Sequence, residues 1–192
     1  EDLVNAMIVP NAVEVLKDKL RDYAVAEEEG NYLREIRTQI PEKLFFDAEP
    51  ILEAHKEEPI YYKTDHHWKT LAARYVYEAW ADSIDLPIVP ISEYREETLT
   101  EDFHGTIDAK VNIKIPGGDR KLLIIKDSYA NCFLSFAMQD FSQIDIVDLR
   151  YFNENLGDYM KEKEYTDILV LYNAAGFAED ASVAKLALAS ES

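Results

Sequence analysis

Four short apolar runs, each closed by polar or turn-forming residues, constrain this chain more than any other feature. They are Leu3–Val9 (LVNAMIV), Leu122–Ile125 (LLII), Ile144–Leu149 (IDIVDL) and Ile168–Tyr172 (ILVLY). Their length and branched side chains predict buried strands. The first stops at Pro10, which cannot continue a ladder. Lys43–Asp47 (KLFFD) reads as a weaker fifth strand. Helical stretches lie between them. Ala12–Ala24 puts Val13, Leu16, Leu20 and Tyr23 on one face. Tyr32–Thr38, Trp68–Ile84, Tyr129–Gln139, Asn153–Lys163 and Ala178–Ala189 are the other candidates. Short apolar strands alternating with amphipathic helices predict parallel βαβ units covered on both faces. The expectation is an α/β fold, a three-layer α/β/α domain around a mainly parallel, about five-stranded sheet. A length of 192 residues fits a single domain over 1–192. An irregular loop or insertion is expected at about 86–120, where Leu86–Pro116 holds three of the seven prolines.

Charge narrows the function. The chain carries 20 Lys+Arg against 38 Asp+Glu, a formal net charge of −18. A nucleic-acid binder needs a basic stripe to neutralise phosphates, so no nucleic-acid partner is expected. The same field repels anionic membranes and polymers. One cysteine, Cys132, excludes an internal disulfide. No apolar run approaches the ~18 residues that span a bilayer. The chain begins at Glu1 rather than Met, which points to an upstream segment removed by processing or by the choice of boundaries.

Two constellations carry chemistry. In Lys126-Asp127-Ser128-Tyr129-Ala130-Asn131, a strand turns directly into a helix. Sites in open α/β sheets form at the carboxyl ends of strands. A serine on such a turn is exposed there, beside helix N–H groups that can hold an oxyanion. The same residues also suit a plain helix cap, since Ser and Asp are favoured there. In Thr64-Asp65-His66-His67-Trp68, a carboxylate stands two residues before a histidine. That spacing lets Asp65 orient His67 as the base a serine requires. Asp65 or Thr64 equally suits the cap of the next helix, and His66 a half-buried packing role. Asp65, His66, His67, His104 and Asp127 also supply metal-type ligands, although no HExxH-like spacing is present.

Tyr61–Trp68 (YYKTDHHW) resembles the signature of the DHHW proteins. Lys121–Asn131 (KLLIIKDSYAN) is similar to that family's serine motif. Val9-Pro10, Phe103–Thr106 (FHGT), Val147–Phe152 (VDLRYF) and Ile168–Asn173 extend the likeness along nearly the whole chain. DHHW proteins resemble SGNH hydrolases, above all the alginate O-acetyltransferases, in which the Asp-x-His pair precedes the serine. The resemblance implies Asp65 as orienting acid, His67 as general base and Ser128 as nucleophile, with no cofactor and no metal. Asn131, Tyr129, His66 and Tyr62 are the expected substrate or oxyanion residues, alongside the Ser128 amide. The implied activity is transfer or removal of acetyl groups on hydroxyls of an extracellular or cell-surface polysaccharide. The implied acetyl supplier is a membrane-bound O-acyltransferase. The implied location is outside a bacterial cell, through an N-terminal signal or anchor absent from this chain.

The chain departs from the family in two places. Lys126-Asp127 replaces the glycine of a GDS-type motif, and only Ile107–Arg120 separates Thr106 from the serine motif, where the family carries a longer segment. Water in place of a sugar acceptor makes the same triad an esterase. A catalytically silent binding or scaffold role in an exopolysaccharide export complex is the alternative. The net charge favours a neutral or amine-bearing polysaccharide over a polyanion.

Overall fold

The computed structural model of the protein describes residues 3–21, 27–93, 110–114, 119–161 and 163–188. Its sheet has five strands: β1 (Leu3–Val9), β2 (Lys110–Lys114), β3 (Lys121–Lys126), β4 (Gln143–Val147) and β5 (Asp167–Asn173). Their order is β1-β5-β3-β4-β2. Four run parallel, and β2 closes one edge antiparallel to β4. The four parallel strands are the four apolar runs of the sequence.

Strand periodicity of two builds both cores. On β3, Leu122 and Ile124 enter one cluster, with α4 (Thr70–Ser83) and α5 (Ala130–Asp140). Leu123 and Ile125 enter the other, with α2 (Glu27–Gln39) and α6 (Leu156–Lys161). All four are 0–2% exposed, and burying each contributes roughly 1.5–3 kcal/mol. The result is the three-layer α/β/α arrangement.

Several elements depart from expectation. The helix predicted over Ala12–Ala24 is a single α-turn, α1 (Ala12–Val15), followed by a 3₁₀ turn at Lys17–Lys19; residues 22–24 lie outside the described residues. Val13 and Val15 are poor helix formers. Glu14, on the polar face of the expected helix, is instead buried against Gly30. The strand predicted over Lys43–Asp47 is a 3₁₀ turn at Glu42–Leu44 and one parallel bridge from Phe45 to Ala6. Phe46 N–H donates to the Ala6 carbonyl at 2.9 Å, so this segment covers the free edge of β1 instead of extending the sheet.

The fifth strand is β2, inside the region expected to be irregular. Lys110, Asn112 and Lys114 at alternate positions give it the exposed polar side of an edge strand, which a search for apolar runs passes over. A short helix not foreseen, α3, spans Glu49–Ala54 with Pro50 in its first turn. The stretch predicted as Ala178–Ala189 divides into α7 (Ala174–Glu179), a 3₁₀ turn at Ala181–Ala184 and α8 (Lys185–Leu188). Asp180 takes the Ser182 N–H at the break. Phe103–Thr106, with His104, lies outside the described residues. Among the described residues no helix is long and apolar enough to cross a membrane.

Candidate active site

The carboxyl ends of the four parallel strands deliver polar residues to a single cleft. Asn11 follows β1, Asp127 and Ser128 follow β3, Arg150 follows β4, and Asn173 ends β5; all five line a cleft of about 360 Å³ with His66, Tyr172, Ala175, Gly176, Glu179 and Asp180. This is the position at which open α/β sheets place their sites.

Ser128 sits in the middle of the three-residue turn between β3 and α5. Its Oγ lies 2.8 Å from Nε2 of His67, across 61 residues of sequence. His67 Nδ1 lies 2.6 Å from Asp65 Oδ1. A carboxylate accepts only, so Nδ1 carries the proton and Nε2 is left to accept from the serine hydroxyl. The Asp65 oxygen also accepts the His67 backbone N–H at 2.8 Å. These two bonds, the backbone one foremost, hold the Asp65 carboxyl below its usual pKa. Asp65 does not cap α4; its side chain is committed to His67.

Aromatic packing fixes the loop that carries His67. Trp68, 1% exposed, donates its indole N–H to the Tyr129 carbonyl at 2.8 Å. The Tyr129 ring stacks on Trp68 and His67, with centroids 5.4 and 5.5 Å away. The Tyr129 hydroxyl donates to the His66 carbonyl and accepts from Asn11 Nδ2 at 2.8 Å. Tyr129 therefore ties the base loop to the serine turn from beneath, and is itself fully buried.

Asp127 sets the serine turn. It is 6% exposed and accepts from the Tyr129 N–H at 2.8 Å, the Asn173 N–H at 2.9 Å and the Asn173 side-chain amide. Burial nevertheless raises its pKa. A Cβ added at Gly176 would lie 2.8 Å from Asp127 Oδ2 and 2.7 Å from Asn173 Nδ2, so glycine is the residue that lets α7 approach this pair.

The sequence-derived candidates divide accordingly. Asp65, His67 and Ser128 come together as a hydrogen-bonded chain. His66 lies on the cleft, with its side chain 63% exposed. Tyr129 lies beneath it, and its N–H is taken by Asp127. Asn131 is exposed and its side chain accepts from Lys126 Nζ at 2.9 Å. Tyr62 lines a separate groove beside Lys69, whose ammonium lies 5.4 Å from the ring centroid. Among the described residues the Ser128 N–H has no acceptor, which leaves it available to an oxyanion.

Ligand atoms of Asp65, His66 and His67 lie within 4.8 Å of one another. However, both ring nitrogens of His67 are engaged, with Asp65 and with Ser128. Asp127 is engaged away from this group, and His104 lies outside the described residues. The spacing argument missed Asn11, Asn173 and Gly176. Asn11 and Asn173 do stand where an apolar run closes, but their partners lie 118 and 46 residues away.

A family profile described as the SGNH hydrolase-like domain of the acetyltransferase AlgX matches residues 3–113, a span that holds Asp65 and His67. No curated protein matches the chain. Among solved structures, a DHHW family protein from Eubacterium siraeum DSM 15702 is 22% identical, with a TM-score of 0.73 over 97% of this chain and 83% of that one. Bacillus cereus PatB1, solved with a sulfonyl adduct, is 16% identical, with a TM-score of 0.69 over 94% and 85%. The O-acetyltransferase domain of Pseudomonas putida AlgJ is 12% identical, with a TM-score of 0.56 over 100% and 84%. At these identities the likeness to solved structures is one of fold.

Proposed function

The chain belongs to the SGNH hydrolase-like family of the acetyltransferase AlgX, and on that premise we propose that it is an O-acetyltransferase acting on polysaccharide hydroxyls through an acetyl-serine intermediate. One observation carries this reading. Asp65, His67 and Ser128 form a continuous hydrogen-bonded chain of 2.6 and 2.8 Å at the mouth of a cleft.

The steps follow from that geometry. His67 Nε2 takes the Ser128 proton as Oγ attacks the acetyl carbonyl of the donor. Asp65 stabilises the imidazolium through the Nδ1 proton. The Ser128 amide donates to the developing oxyanion. The tetrahedral intermediate collapses, the donor oxygen leaves with the proton from His67, and acetyl-Ser128 remains. A sugar hydroxyl then gives its proton to His67 and attacks the acetyl-enzyme, restoring the free serine. Water in place of the sugar gives an esterase.

The acceptor we propose is a neutral or amine-bearing glycan. Asp127, Glu179 and Asp180 line the cleft against a single cation, Arg150. That cation is itself bound to Asp148, with Nε 2.9 Å from Oδ1. A polyanion would meet a lining with more carboxylates than cations there. The reading also takes the site of action to be outside the cell and the acetyl donor to be loaded by a membrane-bound O-acyltransferase.

An acetyl-ester reporter tests the chemistry. Wild-type protein is expected to turn it over and to show a mass gain of one acetyl group on the peptide carrying Ser128. Ser128→Ala is expected to lower the rate at least ~10³-fold and to remove the adduct. Equal background rates in the two proteins, with no acetyl-Ser128, would mean a silent relative acting as a scaffold.

A further inference from the structure

The end of the sheet opposite the catalytic cleft carries a second pocket, of about 500 Å³. Strand register builds it. Lys114 at the end of β2 and Lys121 at the start of β3 both pair with Gln143, the first residue of β4. Lys161 and Lys163, from the end of α6 and just beyond it, complete the wall. Four ammonium groups thus face one carboxylate of the lining, Glu164, in a chain whose net charge is −18.

Beneath them lies Asp145, fully buried. It accepts from the Lys163 ammonium, the Asn112 amide, the Tyr165 hydroxyl at 2.5 Å, and the Gln143 amide and Tyr159 hydroxyl at 3.2 Å. Lys163 is therefore neutralised, and the neutral donors are directed inward. The charge that remains toward the pocket belongs to the other three lysines. Lys161 has Asp158 only at 3.8 Å. Among the described residues, Lys114 and Lys121 have no carboxylate within ion-pair distance.

Like charges gathered without counter-charges repel. The repulsion strengthens where the dielectric falls. A multivalent anion relieves it. The lining cations are all lysines, whose ammonium groups act as point charges, a mode in which lysine binds phosphate. Repulsion from the acidic remainder of the chain is screened beyond about 8 Å at physiological ionic strength, so the nearby lysines set the local field.

We propose that this pocket binds a phosphate group, carried by a soluble phosphorylated compound or by a lipid headgroup. It stands independently of the catalytic reading, since the length of β3 puts Lys121 about 20 Å from Ser128 at the ordinary strand rise.

Calorimetric titration with inorganic pyrophosphate at fixed ionic strength tests it, with vesicle sedimentation on phosphatidylglycerol and on phosphatidylcholine as the second arm. The pocket variant is Lys114→Gln/Lys121→Gln/Lys161→Gln. The control is Lys19→Gln/Lys43→Gln/Lys56→Gln, which removes the same charge elsewhere; circular dichroism verifies that both fold. The expected result is saturable binding that weakens at least tenfold in the pocket variant, stays within twofold of wild type in the control, and leaves acetyl-ester turnover unchanged. Pyrophosphate binding alone identifies a soluble source. Phosphatidylglycerol retention that the pocket variant loses identifies a lipid source. Absence of saturable binding to both probes, or equal weakening in both variants, overturns the proposal.

Discussion

Asp65 shows most directly how a single residue controls this site. One of its oxygens accepts both the backbone and the ring N–H of His67, so it sets tautomer and orientation together. Asp65→Asn keeps the shape but replaces the ideal acceptor, and an amide that presents its NH₂ favours the wrong tautomer. The expected loss in kcat/KM is about 10²–10⁴-fold with KM little changed, measured by steady-state kinetics on an acetyl ester. The lowered Asp65 pKa gives the pH dependence its sign. A depressed carboxyl contributes stability above its unfolded value, near 3.8, and loses it as pH falls through the folded value. The Asp65–His67 bond therefore survives mild acid.

The juxtaposition of Asp65, His67 and Ser128 was legible because Asp65 and His67 are neighbours in sequence and Ser128 follows a sharp strand. Asn11 and Asn173 were not legible. Asn11 meets the Tyr129 hydroxyl across 118 residues and Asn173 meets Asp127 across 46, contacts that local spacing does not encode.

At the scale of elements, the turn after β1 is where α2 docks. The Asn11 N–H donates to Glu29 Oε1 at 2.6 Å. Burial, with Glu14 and Glu49 nearby, pushes the Glu29 carboxyl up to about 7 from an ordinary 4.5. A carboxyl raised on folding contributes stability below its unfolded value and loses it as pH climbs to the folded one. Between about pH 4.5 and 7, rising pH therefore loosens this docking. Glu29→Gln keeps the acceptor and removes the charge. Urea midpoints at pH 5, 6, 7 and 8 are expected to show the variant gaining on wild type up to about pH 7 and then holding level. A constant difference across the series would show that Glu29 does not titrate in this window.

The parallel strands were readable because burial on both faces makes them apolar throughout. The stretch after β1 was misread for the opposite reason. Its apolar face satisfies a helical period, but the burial of Glu14 and the extended backbone of Leu20, at ψ 156°, interrupt it. The antiparallel edge strand β2 carries lysines where a core strand would carry aliphatics, and so it escaped the search.

For the molecule as a whole, acidity and architecture act on different properties. The three-layer arrangement followed from the order of apolar runs, and charge had no part in it. Charge instead sets how far the folded chain repels itself. With 18 net negative charges, compact folding concentrates like charge that the unfolded chain spreads out. Raising NaCl from 20 to 300 mM shortens the screening length several-fold. The melting temperature is expected to rise by several degrees over that range, read by differential scanning calorimetry. A flat or falling response would show that paired charges outweigh the net field. The two ends of the sheet also differ in sign, with acidic groups lining the Ser128 cleft and lysines lining the far pocket, a polarity that total composition conceals.

The pairing of β1 with β5 has a consequence in time. The first strand of the sheet finds its neighbour in the last, with Leu3 opposite Asp167 and Val9 opposite Asn173. Asn173 is also the partner of Asp127 behind the serine. A ribosome that has released residues 1–140 has therefore already delivered Asp65, His67 and Ser128, yet the support of the serine turn is still unmade. Such long-range closure is slow compared with local helix formation. On the function proposed above, the nascent chain stays chemically mute until β5 emerges and completes the support behind Ser128.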